Sequence, residues 1–301
     1  MTRLLLLAAA LFLAAYATAC GGGSSDSGDP EATESGGDTS TPAADNVPAG
    51  LSLIVFRDTL NSTVIAHSIA DGKRWQLSTD PEEFLVSMDC SLDGERAAYM
   101  VKDLQTGSEV RLSGGESQPV RIAGEAVGLA WSPDGSRIAV TAFDPAAGQN
   151  HLHLLAPISG ALTTAVSGTS SIGAPRWSPD GDRIAFDAAD GITNQLFVFT
   201  TGETAAVKVA DRAQPSFAPE WSPDGSTLVF TAPTEANLSQ LFTIGIDGAN
   251  ERQLTSSEIA KGFPRFSPDG ATIAYAGTII VPTVSRLPVL RHNLAVWTMN
   301  P

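Results

Sequence analysis

The sequence predicts an all-β fold, a six-bladed β-propeller whose blades are four-stranded antiparallel sheets and whose terminal blades are incomplete. Three observations lead to this prediction. The phrase WSPDGSRIAV at 131–140 recurs as WSPDGDRIAF, WSPDGSTLVF and FSPDGATIAY, the copies are regularly spaced, and a second turn signal lies between them. Repeats of about 40–50 residues with several short strands are typical of propeller blades, which cannot bury their faces without neighbours.

The phrase itself predicts a strand, a tight turn and a returning strand. Pro133 sets φ near the value that a turn requires, and Ser132 and Asp134 can hydrogen-bond the neighbouring backbone. Gly135 can adopt a positive φ without a steric penalty. The residues at 137–140 then favour a buried strand.

The spacing of the copies defines the repeat. A degraded copy, CSLDGERAAY, begins at Cys90, so the copies begin at 90, 131, 177, 221 and 266, in steps of 41, 46, 44 and 45 residues. A second hairpin turn is marked between copies by Gly115, Gly160, Gly202 and Gly248. Strand-like runs flank it, as in LFTIGIDGANERQL at 241–254 and LFVFTTGETAAVKV at 196–209. Two hairpins per repeat give four antiparallel strands, which make one blade.

We interpret the recurring aromatic, aspartate and glycine residues as structural. Each ring offers an apolar surface of roughly 150–250 Å² that can pack between adjacent blades. The alternative is that some of them contact a ligand or a cation. The residues are Trp131, Asp134, Gly135, Trp177, Asp180, Gly181, Trp221, Asp224, Gly225, Phe266, Asp269 and Gly270.

The aromatic-Ser-Pro-Asp-Gly-x-x-Ile-Ala-aromatic pattern resembles the TolB-type, or PD40, β-propeller repeat, which is WD40-like. The resemblance covers about residues 50–300 and implies the propeller fold. It does not fix the function, because such repeats occur in periplasmic TolB, in prolyl-oligopeptidase-like enzymes and in surface lipoproteins.

The two ends of the repeat array are irregular. AGLSLIVFRD at 49–58 and TVIAHSIADGKRWQLS at 63–78 predict a first blade without its inner strand. LAVWTMNP at 294–301 aligns with LFTIGIDG, which predicts a last blade without its outermost strand. The ring then closes by contact between the terminal blades or by a strand from the segment before residue 50, unless the reading frame is shortened.

The segment before the propeller predicts a lipoprotein. Residues 1–19 combine Arg3 with a 13-residue apolar run from Leu4 to Tyr16, which is too short for a span of about 20 residues and typical of a signal peptide. The ending Ala-Thr-Ala-Cys resembles a bacterial lipobox, so we expect Cys20 to carry lipid. The alternative is an ordinary cleaved signal. Residues 20–49 then form an acidic Gly/Ser tether, and 50–301 form the propeller.

The net charge limits which classes of partner the chain can bind, and the cysteine count predicts the state of Cys90. The formal net charge is −15; removing Arg3 gives −16, and removing six acids of the tether leaves about −10 on the propeller. Nucleic-acid binding is not expected, since it requires a basic patch, and attachment to the membrane must come from the lipid. With Cys20 lipidated, Cys90 has no partner and is expected to be a buried, inert thiol.

No enzyme motif is present: the sequence contains no Gly-x-Ser-x-Gly elbow, no Walker loop and no His-Glu-x-x-His. His151 and His153 alternate along a predicted strand and share one face, so they could bind a metal, as histidines do in the propeller of oligogalacturonate lyases. We favour an exposed pair at a strand end, and expect no cofactor and no metal.

Binding is therefore the predicted activity. The residue before each repeat aromatic is Asp89, Ala130, Arg176, Glu220 or Arg265. Alternating signs in successive blades favour ion pairs between blades, whereas the alternative is a charged ring that receives a ligand. We predict a lipid-anchored, extracytoplasmic (periplasmic or cell-surface) propeller that binds an envelope protein or peptide near Arg176, Glu220 and Arg265. A metal-dependent carbohydrate-active enzyme of the oligogalacturonate-lyase kind is the alternative.

Overall fold

The computed structural model describes residues 83–301 except 92–95, 104–106, 114–117 and 280–292, together with the strands before residue 83. The side chains of those early strands, and of a few residues beside the gaps, lie outside the description. The structure confirms an all-β propeller built from antiparallel blades. From Glu83 onward it forms five blades, numbered here in chain order.

Four of these blades contain four strands and the fifth contains three. Blade 1 consists of β5 (Glu83–Cys90), β6 (Ala97–Asp103), β7 (Gly107–Leu112) and β8 (Val120–Ile122). Blade 2 consists of β9 (Glu125–Trp131), β10 (Ile138–Asp144), β11 (Gln149–Leu155) and β12 (Leu162–Thr169). Blade 3 consists of β13 (Arg176–Trp177), β14 (Arg183–Asp190), β15 (Thr193–Thr200) and β16 (Ala206–Lys208). Blade 4 consists of β17 (Phe217–Trp221), β18 (Thr227–Pro233), β19 (Ser239–Gly245) and β20 (Arg252–Gln253). Blade 5 consists of β21 (Lys261–Phe266), β22 (Ile273–Ile279) and β23 (Asn293–Met299).

The predicted count of six blades is not supported. The region expected to form the first blade contains β2 (Leu53–Asp58), β3 (Thr63–Ser68) and β4 (Arg74–Ser78), and the short β1 (Thr18–Ala19) pairs with β2. Only the backbone of these strands is described, so no packed blade is assigned to them. At the other end, β23 pairs with β22 as the third strand of blade 5, which agrees with the predicted incomplete last blade.

The chain divides into two compact units. One comprises Met1–Ile122 with Pro157–Gly160, and the other comprises Ala123–Ala156 with Ala161–Pro301. The second unit holds blades 2–5, and the contacts between blades described below all lie within it. Its blades adjoin through their first strands, because β9 contacts β13, β13 contacts β17, and β17 contacts β21.

The core of the second unit is a series of apolar clusters, each shared by two consecutive blades. Trp177 packs with Ile184 and Phe186 of its own blade and with Leu152 of blade 2. Trp221 occupies the corresponding cluster between blades 3 and 4, and Phe266 packs against the cluster between blades 4 and 5. The repeat aromatic therefore joins neighbouring blades, as the sequence predicts.

The Ser-Pro-Asp-Gly phrase forms the predicted turn in all four copies. In the first copy Gly135, with φ 68°, donates its N–H to the Ser132 carbonyl at 2.9 Å. The Ser132 hydroxyl accepts a bond from the Arg137 N–H and donates one to Asp134. Hydrogen bonds from Ser132 and Ser136 lower the pKa of Asp134 to about 2, so the turn holds an ionised carboxylate at neutral pH. The turn aspartates Asp180, Asp224 and Asp269 have lowered pKa values for the same reason.

Candidate functional site

The first strands of blades 3, 4 and 5 bring the three predicted charges together. We call Arg176, Glu220 and Arg265 the ionic row. The carboxylate of Glu220 accepts a hydrogen bond from the Arg265 guanidinium and lies 3.3 Å from the Arg176 Nε. The predicted pairing between successive blades is therefore observed. The side chains of Arg176 and Glu220 are 20% and 17% exposed, whereas that of Arg265 is 48% exposed, so the row ends in an accessible guanidinium.

The backbone in front of each charge is irregular in the same way in blades 4 and 5. Both β17 and β21 contain a register shift, between Phe217 and Glu220 and between Gly262 and Arg265. Ala218 and Phe263 within these bulges have φ values of 50° and 53°, which non-glycine residues seldom adopt. Phe217 and Phe263 remain 38% and 37% exposed. Each bulge thus places a partly exposed apolar ring close in sequence to a member of the ionic row.

A buried carboxylate holds the bulge of blade 4 in place. Asp187 on β14 accepts the N–H of Ala218 at 3.0 Å and the side-chain amide of Asn194 at 3.1 Å. The backbone carbonyl of Asn194 also accepts the N–H of Ser216, at 2.9 Å. Space for the carboxylate depends on Gly173, because a Cβ there would lie 2.2 Å from the Asp187 Oδ1. Burial raises the pKa of Asp187, as expected for a carboxyl removed from water.

Asp187 was not among the residues singled out from the sequence, although a signal for it exists. It lies ten residues after Trp177, and the same offset from Trp131 and Trp221 leads to Thr141 and Thr231. A carboxylate therefore replaces a hydroxyl at an interior strand position. Only the contact with Ala218 shows that this change supports the segment leading to Glu220.

The repeat tryptophans also reach the ionic row through the backbone. The Trp177 Nε1 donates to the Ala130 carbonyl at 3.1 Å, and the Trp221 Nε1 donates to the Arg176 carbonyl at 3.0 Å. Each bond ties the ring of one blade to the residue before the aromatic in the previous blade. Trp221 thus fixes the main chain that carries Arg176.

Two of the repeat aromatics also contact cations of this chain, which adds to the structural role expected for them. The Arg137 guanidinium lies 5.8 Å from the centroid of Trp177, and that of Arg183 lies 4.8 Å from the centroid of Trp221. Arg183 also donates to the Gly225 carbonyl at 3.2 Å and to Asp180 at 2.9 Å. These arginines fix the rings further, since cations are attracted to aromatic faces.

The histidine pair lies on β11, away from the ionic row. The rings of His151 and His153 have centroids 5.6 Å apart, and the His153 Nδ1 is 3.1 Å from the Thr164 hydroxyl. Burial, and then the proximity of His151, lower the pKa of His153. The expectation of an exposed pair is wrong, because His153 is buried and His151 is half-buried. Among the described residues, no group of three or more His, Cys, Asp or Glu side chains could hold a metal ion.

The state of Cys90 in the structure also differs from the expected free thiol. Cys90 is disulfide-bonded, so its interpretation as a free thiol is wrong. Cys20, the other cysteine of the sequence, lies outside the described residues. Lipidation of Cys20 therefore stays a prediction. No helix in the described part of the chain is long and apolar enough to cross a membrane.

Comparison with known proteins places the fold. Residues 160–279 match the family model described as PD40, TolB beta propeller domain, and no curated protein matches the sequence significantly. Putative TolB from Agrobacterium tumefaciens superposes with a TM-score of 0.58 and 18% identity over 76% of this chain and 80% of that chain. TolB from Acinetobacter baumannii gives 0.59 and 17% over 75% of this chain and 59% of that chain. An oligogalacturonate lyase in complex with manganese gives 0.58 and 16% over 79% and 70%. At these identities the structural likeness establishes the fold alone.

Proposed function

Since this chain carries a TolB-like β-propeller, we propose that it is a binding module of the bacterial cell envelope. It holds a protein or peptide partner at the first strands of blades 3–5. The observation that carries this proposal is the ionic row, which presents the half-exposed guanidinium of Arg265 between blades.

The row suits a partner that offers a carboxylate beside an apolar side chain. In the ionic row two guanidinium groups share one carboxylate. The row therefore carries one net positive charge on a strongly acidic protein. Phe217 and Phe263 add partly exposed rings to the same two strands. Aromatic and arginine side chains are the residue types that most often dominate the energy of protein interfaces.

Arginine removal tests the proposal. We expect Arg265→Ala to lower capture of a cross-linked partner from the membrane fraction by about tenfold, the equivalent of losing ~1.4 kcal/mol. Arg252→Ala is the matched control, because Arg252 is also exposed but lies on the outer strand β20. Equal capture by wild type and both variants would exclude the ionic row as the binding surface.

The histidine pair favours a second candidate, a metal-dependent polysaccharide lyase. The 5.6 Å separation of the His151 and His153 centroids is short enough for two imidazoles to share one metal ion. A stoichiometric divalent metal, together with cleavage of acidic polysaccharide that is lost in the His151→Ala, His153→Ala double variant, would replace the binding proposal with this one.

Membrane attachment through Cys20 is part of the proposal and gives its own prediction. We expect Cys20→Ser to release the protein from membranes in soluble form, because no other membrane anchor is predicted. Cys90→Ser is the matched control and should leave the protein attached. If instead intact wild-type protein shows a Cys20-to-Cys90 disulfide by mass spectrometry and no acyl mass, the lipid anchor is wrong.

A further inference from the structure

A cavity of about 570 Å³ lies at the blade edges opposite the Ser-Pro-Asp-Gly turns. Its walls come from the loop between β18 and β19, from the connection after β20, and from the connection that enters blade 4. Volumes of roughly 300–1,000 Å³ are usual for ligand sites. The cavity lies apart from the ionic row, and nothing in the proposed function uses it.

One wall contains a buried acceptor without a donor. Gln240 is 1% exposed, and its Oε1 has no hydrogen-bond partner. Its Nε2 donates to the carbonyls of Ser257 and Ile259 at 2.9 and 3.0 Å. These two bonds fix which end of the amide is nitrogen, so the unpaired atom is the oxygen. An unpaired buried acceptor is unfavourable, because it has lost its hydrogen bonds to water without gaining a donor.

In the preceding blade, the equivalent glutamine has hydrogen-bond partners for both ends of its side-chain amide. Gln195 occupies the equivalent place on β15, since Gln195 pairs with Ala188 and Gln240 pairs with Ala232, eleven residues after Trp177 and Trp221 respectively. Its Nε2 donates to the Arg212 carbonyl, and its Oε1 accepts the Arg212 N–H at 3.0 Å. In blade 4 the corresponding oxygen lacks such a donor. Gln240 lines the cavity together with the exposed loop at 256–258, so a ligand held there would lie beside this oxygen.

The charges around the cavity favour a cationic donor. Glu235 and Glu258 are exposed and line it. Arg212, the one basic residue in that described lining, is already engaged: its Nε and Nη2 donate to Glu251 at 2.9 and 2.8 Å. Its guanidinium also lies 5.1 Å from the centroid of Phe242. The charge of Arg212 is therefore balanced by Glu251 and its side chain is held in place. The carboxylates of Glu235 and Glu258 then give the cavity a net negative charge.

We infer that this cavity is a second binding site, which takes the basic side chain of a peptide. The guanidinium or ammonium group hydrogen-bonds the Gln240 Oε1 and is balanced by Glu235 and Glu258. The site extends the binding module with a position for a residue of the opposite charge to that favoured at the ionic row, and it does not depend on that row.

Three capped amino acids separate the contributions of charge and hydrogen bonding. Acetyl-arginine methylamide supplies both, the citrulline analogue keeps the donors without the charge, and the norleucine analogue has neither. Titration into the ¹⁵N-labelled full chain should shift the side-chain amide resonance of Gln240 in the order arginine, citrulline, norleucine. Spermidine serves as the free amine: stronger binding of spermidine than of the arginine probe would overturn a peptide side chain as the ligand.

Variants locate the effect. Glu258→Gln and Glu235→Gln should each weaken the arginine probe roughly two- to fivefold, which is the range of an exposed ion pair, and leave the citrulline probe unchanged. Glu203→Gln is the matched control, because it removes the same charge from an exposed glutamate outside this cavity. Gln240→Met should abolish the preference for citrulline over norleucine. Equal affinity for arginine and norleucine, or equal loss in the Glu203→Gln control, would overturn the inference, whatever happens at the ionic row.

Discussion

Replacing Trp177 with alanine is expected to lower the free energy of unfolding by about 3–5 kcal/mol, the usual cost of deleting a large core aromatic side chain. The ring is 8% exposed and packs with residues of blades 2 and 3. The substitution also removes the donor to the Ala130 carbonyl and the surface beneath Arg137. Urea denaturation followed by tryptophan fluorescence and circular dichroism measures the effect.

Two controls separate packing from general sensitivity. Trp177→Phe keeps most of the ring and loses the indole N–H, so it should cost about 1–3 kcal/mol. Val207→Ala removes an apolar side chain that is 71% exposed and should change the stability by less than about 0.5 kcal/mol. If Trp177→Ala unfolds at the same urea concentration as the wild type, the ring does not join the blades.

Replacing Asp187 with alanine is expected to lower the free energy of unfolding by about 2–4 kcal/mol at neutral pH. The change leaves the Ala218 N–H and the Asn194 amide without their acceptor, at about 1–3 kcal/mol for each buried group. Part of this loss is offset, because the raised pKa of Asp187 shows that its ionised form is costly in the folded state. The net effect remains destabilising, and the segment leading to Glu220 should lose its fixed conformation.

The pH dependence of this loss has a defined sign. A carboxyl whose pKa is higher in the folded than in the unfolded state contributes stability at low pH that is lost as the pH rises through the folded-state pKa. The difference between wild type and Asp187→Ala should therefore grow as the pH falls from 7 towards the ordinary aspartate pKa. Urea midpoints measured between pH 7 and pH 4 test this, and a difference that shrinks would contradict it.

Thr231→Val is the matched control for Asp187→Ala, because Thr231 occupies the same place in blade 4. The register aligns the two positions, since Asp187 pairs with Leu196 and Thr231 pairs with Leu241. The Thr231 hydroxyl is buried without a hydrogen-bond partner, so replacing it with a methyl group should leave the stability unchanged or raise it.

The blade architecture was predictable because its signals are local. Pro133 and Gly135 specify a turn within four residues. The spacing between Trp131 and Trp177 gives the length of the repeat that forms one blade. The number of blades was not predictable to the same degree, because repeats weaken towards the N-terminus. From Glu83 onward the described residues form five blades where six were expected for the chain, and a degraded phrase such as that at Cys90 still contributes to a blade.

The candidate site was predictable only in part. Alternating charges at Arg176, Glu220 and Arg265 indicated ion pairs, because a fixed repeat places equivalent residues side by side in successive blades. The unequal exposure of these side chains was not predictable, since it depends on how each bulge sets the strand. The unpaired oxygen of Gln240 is also invisible in the sequence, because Gln195 precedes the same Leu-Phe pair and finds its donor.

The sequence by itself determined the turns, the strand order within a blade and the aromatic that joins one blade to the next, because each depends on residues close together or at a constant interval. The tertiary structure alone decided which buried groups meet across blades. Asp187 and Ala218 are 31 residues apart, and their hydrogen bond forms because blade packing brings them together and Gly173 leaves the space. Such contacts depend on distances between strands that no local pattern encodes, and they are the ones that position Glu220.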